Sequence, residues 1–120
     1  MRPVLITGDR NWSDEDTVHI CLTKLIDLGY DTIIEGEARG ADTIARNEAL
    51  KLGITVIRCP AQWDRYGRAA GLIRNQYMLD QHKPGMVVYF HNDIGSSKGT
   101  RHMVNIAIRA GIKVIDGREL

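Results

Sequence analysis

Three apolar runs in this chain each end in a cluster of glycines and charged residues that could bind a phosphorylated ligand. The clusters are residues 8–12, 35–42 and 91–100. If the runs are parallel strands, their carboxyl ends meet at one edge of one sheet, which is where open α/β folds bind ligands. The three clusters therefore predict a single binding site.

The third cluster has the composition of a phosphate-binding loop. It supplies five predicted ligand-binding residues, Ser96, Ser97, Lys98, Gly99 and Thr100, just before a predicted helix. Unpaired N–H groups at a helix start favour an anion, and glycine lets the backbone approach it closely. The spacing differs from that of a Walker A motif. A flexible loop with a serine N-cap explains the same residues equally well.

The first cluster contributes Gly8, Asp9 and Arg10. Asp9 could accept hydrogen bonds from ribose hydroxyls or a base, and Arg10 could pair with a phosphate in a fork geometry. A turn with a surface ion pair is the alternative interpretation. Because G-x-G-x-x-G is absent, ordinary dinucleotide binding is not predicted.

The second cluster contributes Gly36, Glu37 and Arg39 to the predicted site. Glu37 is the predicted general acid or base, because a carboxylate at a partly buried strand end can have a raised pKa. Asp42 lies near a helix start, and we expect it to cap that helix.

A predicted helix carries Arg74 and Asn75, which could supply a guanidinium and an amide to an anionic ligand. Without a site they would be ordinary solvated helix residues. Trp63 and Tyr66, in the loop before this helix, could stack on a base or cover the edge of the core.

The metal-ligating residue types have no diagnostic spacing, so no metal ligand is assigned. The one cofactor considered is Mg²⁺ accompanying a nucleotide, because four carboxylates are predicted at the same sheet edge. These are Asp9, Glu37, Asp42 and Asp93.

The elements that must position these residues alternate along the chain. Strands are predicted at about 3–7, 31–35, 54–59, 86–90 and 112–116. Helices are predicted at about 14–28, opened by Ser13, and at about 41–52, 68–82 and 99–110, with residues 60–67 as a loop. A helix-ending glycine precedes a β-branched strand three times, at Gly29, Gly53 and Gly111.

This alternation predicts an α/β, three-layer Rossmann-like fold. Its five-stranded parallel sheet has the order 3-2-1-4-5 with helices on both faces. Strands one and four are then neighbours at the reversal of strand order, so the first and third clusters face each other. A chain of 120 residues fits one domain, residues 1–120.

The composition excludes several classes of protein. A formal charge of +1 supplies no general attraction to nucleic acid or to a membrane, and no apolar run approaches the roughly 20 residues of a membrane span. Cys21 and Cys59 are too few for a disulfide framework. The first residues lack a signal-peptide pattern, and we expect a cytoplasmic protein.

In their order along the chain, these motifs resemble the YspA-type, cpYpsA-related branch of the SLOG superfamily, which also holds DprA and the LOG enzymes. The segments that carry the resemblance are residues 8–10, 36–42, 60–63, 71–78 and 97–100. The resemblance implies a Rossmann-like sheet that binds a nucleotide or nucleotide-derived ligand, as a sensor or a processing protein. It also implies homo-oligomers, dimers or larger.

The resemblance implies two alternatives. LOG-type enzymes hydrolyse the N-glycosidic bond of nucleoside monophosphates, and Arg74, Gly99 and Thr100 match their motif residues, whereas Met103 stands where those enzymes have glutamate. Glu37 and Arg74 are therefore the catalytic candidates. The other alternative is DprA-like binding of single-stranded DNA, against which the near-neutral charge argues.

Overall fold

Five parallel strands form one sheet in the order β3-β2-β1-β4-β5, which confirms the predicted fold class. The computed structural model describes residues 1–120. The strands are β1 (Pro3–Gly8), β2 (Thr32–Glu35), β3 (Thr55–Arg58), β4 (Met86–Phe90) and β5 (Lys113–Asp116). β1 lies at the centre, and its neighbours β2 and β4 bring the three charged clusters to one edge.

Helices cover both faces of this sheet. They are α1 (Glu15–Asp27), α2 (Ala41–Lys51), α3 (Trp63–Tyr66), α4 (Ala70–His82) and α5 (Lys98–Arg109), with short 3₁₀ segments at Gly67–Ala69 and Ile94–Ser96. None of the helices has the length and apolar character needed to cross a bilayer.

The core is divided by the alternation of side chains along β1. Val4 and Ile6 pack with α1 and α2, whereas Leu5 packs with α4 and α5. Because successive side chains of a strand point to opposite faces, a continuous apolar run is what a sheet covered on both sides requires.

Two local predictions were wrong. Asp14, and not Ser13, is the N-cap of α1, because its carboxylate accepts the N–H of Thr17 at 3.0 Å. Residues 60–67 are not all loop, since α3 and a 3₁₀ segment occupy part of them. The predicted helix-ending glycines are confirmed: Gly29, Gly53 and Gly111 have φ values of 97°, 74° and 75°.

The carboxyl end of β1 has no space for a side chain at position 8. Gly8 lies opposite Phe90 in the register of β1 and β4. A Cβ at position 8 would overlap the carbonyl oxygen of Phe90 and would lie 2.7 Å from Cβ of Ala41. This contact brings the loops after β1 and β4 and the start of α2 together.

We expect Gly8→Ala to lower the free energy of unfolding by about 2–3 kcal/mol, because the added methyl group has no space and the backbone must move. Chemical denaturation followed by circular dichroism measures the change. Gly99→Ala is the control, since a Cβ there meets nothing within 4 Å. Equal stability of the two variants would contradict the close packing of β1.

Candidate functional site

A cleft of about 550 Å³ lies at the carboxyl edge of the sheet, between the loops after β1, β2 and β4 and the start of α4. We call it the main cleft. Most of the predicted site residues line it: Gly8, Asp9, Arg10, Arg39, Arg74, Asn75, Ser97, Lys98, Gly99 and Thr100.

Three predicted residues lie elsewhere. Gly36 and Glu37 line a neighbouring cleft of about 540 Å³, and the Glu37 carboxylate pairs with Nε of Arg58. Ser96 lines neither cleft, and its hydroxyl donates to the carbonyl of Asp93 at 2.8 Å. The structure therefore does not bring Glu37 or Ser96 into the main cleft.

Arg74 is a half-buried cation held in position by neutral groups. Its Nε donates to Oδ1 of Asn75 at 3.0 Å, and its Nη1 donates to the carbonyl of Gly36. No carboxylate lies within ion-pair distance of it. Burial lowers the pKa of Arg74, the nearby Arg10 lowers it further, and Asp42 opposes the shift. An anionic ligand would supply the countercharge that the chain does not.

Asn75 joins α4 to the first turn of α5. Its side chain is buried, and its Nδ2 lies 3.3 Å from the carbonyl of Gly99 and 3.2 Å from Nδ1 of His102. Because Oδ1 of Asn75 accepts a hydrogen bond from Arg74, both the oxygen and the nitrogen of the side-chain amide have partners. Asn75 therefore positions Arg74 and the start of α5.

The first turn of α5 leaves two backbone donors free. Ser97 is the N-cap: its Oγ accepts the N–H of Thr100 at 3.0 Å, and its own N–H donates to Ile94 at 3.1 Å. The N–H groups of Lys98 and Gly99 have no acceptor within the chain. Ser97 is thus the predicted serine N-cap, and Lys98 and Gly99, whose N–H groups are free, line the main cleft.

Asp42 does not cap α2, so that prediction was wrong. The N-cap position is Gly40, whereas the buried carboxylate of Asp42 accepts the N–H groups of Gly36 at 3.1 Å and Ala38 at 3.2 Å. Asp42 therefore stabilises the loop after β2. Burial raises its pKa to about 6, although these N–H groups and the nearby Arg74 and Arg10 lower it.

Glu35 is the buried carboxylate that the sequence analysis missed. Its Oε1 accepts the N–H of Glu37 at 2.8 Å, while its fully buried Oε2 has no partner. Burial, with a contribution from Asp42, raises the pKa of Glu35 to about 7. A raised pKa was predicted for Glu37, two residues further on. The sequence did contain a signal for this burial, because Glu35 is the last residue of an apolar strand.

Asp9 and His91 face each other across the floor of the main cleft. His91 Nδ1 accepts the N–H of Asp93 at 2.9 Å, so in the neutral ring the proton is on Nε2, which lies 3.8 Å from the Asp9 carboxylate. The other Asp9 oxygen accepts the N–H of Asn11 at 2.9 Å. Asp9 is thus oriented, and still partly exposed to a ligand.

The four predicted acidic residues do not converge on one metal position. Glu37 pairs with Arg58, and Asp42 is occupied by backbone N–H groups. The chain contains no group of three or more His, Cys, Asp or Glu side chains arranged to hold a metal ion. The four carboxylates therefore do not form a shared Mg²⁺ site within the chain.

Cationic side chains outnumber acidic ones in the lining of the main cleft. Five of its lining side chains are cations, and none forms an ion pair within the chain: Arg10, Arg39, Arg68, Arg74 and Lys98. Only Asp9 and Asp42 are acidic there. The half-exposed ring of Trp63 borders the same cleft, 3.5 Å from where a Cβ on Gly71 would lie. The site is suited to an anion that carries a planar group.

Comparison with known proteins gives a consistent result. The sequence profile of YAcAr, the YspA, cpYpsA-related SLOG family, matches residues 2–66. The chain is 38% identical over 125 residues to the Gene 61 protein of Mycobacterium phage D29, covering 97% of this chain and 96% of that protein.

Among solved structures, DNA processing protein A (DprA) from Streptococcus pneumoniae superposes with a TM-score of 0.75 at 18% identity. The match covers 95% of this chain and 49% of DprA, so this chain spans about half of that protein. At this identity the likeness shows a shared fold.

We expect stability to fall as pH rises, because Glu35 binds a proton more tightly folded than unfolded. Its contribution is complete below pH 4.5 and is lost as pH rises to about 7, a fall of about 3 kcal/mol in the free energy of unfolding. Asp42 has a shift of the same sign. Glu35→Gln should remove only the contribution of Glu35 to this pH dependence, and the variant should therefore be more stable than wild type above pH 7.

Urea denaturation at pH values from 4.5 to 8, which span the titration of Glu35, measures the difference in unfolding free energy between wild type and Glu35→Gln. Asp27→Asn, at an exposed carboxyl group of α1, is the matched control and should follow the wild-type profile. Parallel profiles for wild type and Glu35→Gln would contradict the assignment.

Proposed function

This chain belongs to the YAcAr family, the YspA, cpYpsA-related SLOG family, and we propose that it binds a phosphorylated nucleoside-type ligand in the main cleft. Family and fold support a nucleotide-related or DNA-processing role. The observation that carries the proposal is the convergence of five unpaired cations on one cleft at the carboxyl edge of the sheet. A half-buried guanidinium without a carboxylate partner is stabilised when an anion binds.

The phosphate would lie at the start of α5. The free N–H groups of Lys98 and Gly99 would donate to it, and the positive end of the helix dipole favours negative charge there. Arg74 and Arg10 would flank it as further donors. The N–H groups of Lys98 and Gly99 have no other acceptor in the chain, and Nη2 of Arg74 is free to donate as well.

The remainder of the ligand would meet Asp9 and Trp63. A partly exposed carboxylate whose orientation is fixed by Asn11 is suited to accept a hydrogen bond from a ribose hydroxyl. The exposed indole of Trp63 offers a flat apolar surface on which a base can stack.

Calorimetric titration with AMP, GMP, CMP and UMP tests this proposal. We expect at least one of them to bind, and Arg74→Gln to weaken that binding by about 10- to 100-fold, the range for losing a hydrogen bond to a charged group. Arg109→Gln, at the other end of α5, is the matched control and should leave binding unchanged. Absence of binding by all four, or equal binding by Arg74→Gln, would refute the proposal.

Hydrolysis of the N-glycosidic bond receives less support from the site. Met103, at the position of the LOG glutamate, is fully buried in the core, and Glu37 pairs with Arg58 in the neighbouring cleft. We therefore expect nucleoside monophosphates to be recovered intact after incubation, as measured by chromatography for free base. Base release that Arg74→Gln abolishes would contradict this and establish the hydrolase alternative.

A further inference from the structure

A second cleft adjoins the main cleft. This second cleft, of about 540 Å³, lies beside the loops after β2 and β3 and is bordered by Glu37, Pro60 and Ala61. Five residues line both clefts and form their common wall: Arg10, Ala38, Arg39, Trp63 and Arg74. Each cleft lies within the size range of small-molecule sites.

The common wall is cationic and unpaired. Three of its five residues are arginines, and none of them forms an ion pair within the chain. Arg10 lies close enough to Arg74 to disfavour its charged form. An anion placed between like charges relieves their repulsion, so this wall is a second position for negative charge, in addition to the phosphate that Arg74 and Arg10 flank at the start of α5.

The two anion positions differ in their surroundings. Lys98 and Gly99 border the main cleft alone, whereas the arginine wall borders both clefts. A terminal monophosphate bound at α5, with Arg74 and Arg10 on its flanks, would leave the second cleft without contacts. A pyrophosphate could place one phosphate at α5 and the other on the wall, with a group attached on each side.

We propose, on the basis of the function proposed above, that the ligand is pyrophosphate-bridged and spans both clefts, with a nucleoside in the main cleft and a second hydroxyl-bearing group in the other. The second cleft is suited to such a group. Oε1 of Glu37 pairs with Arg58, which leaves Oε2 to accept hydrogen bonds from hydroxyls, and Trp63 borders this cleft as well. The wall arginines bind the bridge, and the two end groups bind independently on either side of it.

Calorimetry with AMP, ADP and diadenosine pyrophosphate tests the proposal, together with the matched guanine series. We expect the diadenosine compound to bind at least about tenfold more tightly than ADP, because it adds contacts in the second cleft. It carries less negative charge than ADP, so general attraction to cations cannot produce this order.

Ala61→Trp should fill the second cleft and abolish that advantage while AMP binding is retained. Ala110→Trp, an exposed alanine outside both clefts, is the matched control and should keep the advantage. Glu37→Gly provides a variant that does not depend on Ala61→Trp folding, since φ is 57° at this position and glycine adopts it readily. Glu37→Gly should also reduce the affinity advantage of diadenosine pyrophosphate over ADP.

The outcomes separate this proposal from the one on which it rests. Binding of AMP or GMP without any advantage for the bridged compounds, or an advantage that survives both second-cleft variants, overturns the two-cleft ligand and leaves the nucleotide site intact. Tighter binding of the phosphodiester dinucleotide pdApdA than of diadenosine pyrophosphate overturns it in favour of single-stranded nucleic acid. No binding by any of these probes refutes both proposals.

Discussion

The site depends on a backbone contact that leaves no space for side chains. The carbonyl of Asp9 accepts the N–H groups of Trp12 at 3.1 Å and Ala41 at 3.0 Å, while the Asp9 N–H donates to Phe90 at 2.9 Å. A Cβ on Gly40 would overlap the Asp9 carbonyl, as one on Gly8 would overlap that of Phe90. Because these bonds join loops after three different strands, they determine which side chains share the main cleft.

Buried carboxylates hold the loop after β2 in place. Asp42 and Glu35 both accept backbone N–H groups of residues 36–38, and both have raised pKa values because burial disfavours their charged forms. At neutral pH this arrangement costs stability. Such a cost is typical of binding sites, where local geometry is maintained against the preference of individual groups. Here the two buried carboxylates shape the loop after β2, and the Gly36 carbonyl of this loop orients Arg74.

The distribution of ion pairs explains how a nearly neutral chain acquires a cationic cleft. The chain has 16 basic and 15 acidic residues. Several carboxylates form ion pairs away from the main cleft, as Glu48 does with Lys51 and Asp116 with Arg118. The arginines of the common wall have no such partner, so the local field is positive while the total charge is close to zero. Total charge is therefore a poor guide to the binding partner of this protein.

Local patterns in the sequence determined the fold and the place of the main cleft. β-branched runs, helix-ending glycines such as Gly29 and strict strand–helix alternation require a parallel sheet, and charged clusters after strands one, two and four must then meet at its carboxyl edge. What only the tertiary structure decided is the state of individual groups. That Glu35 and not Glu37 is buried, that Asp42 stabilises a loop and not a helix, and that Arg74 borders two clefts depend on contacts between residues far apart in the chain. Desolvation and hydrogen bonding across elements are set by packing, which periodicity and spacing do not encode.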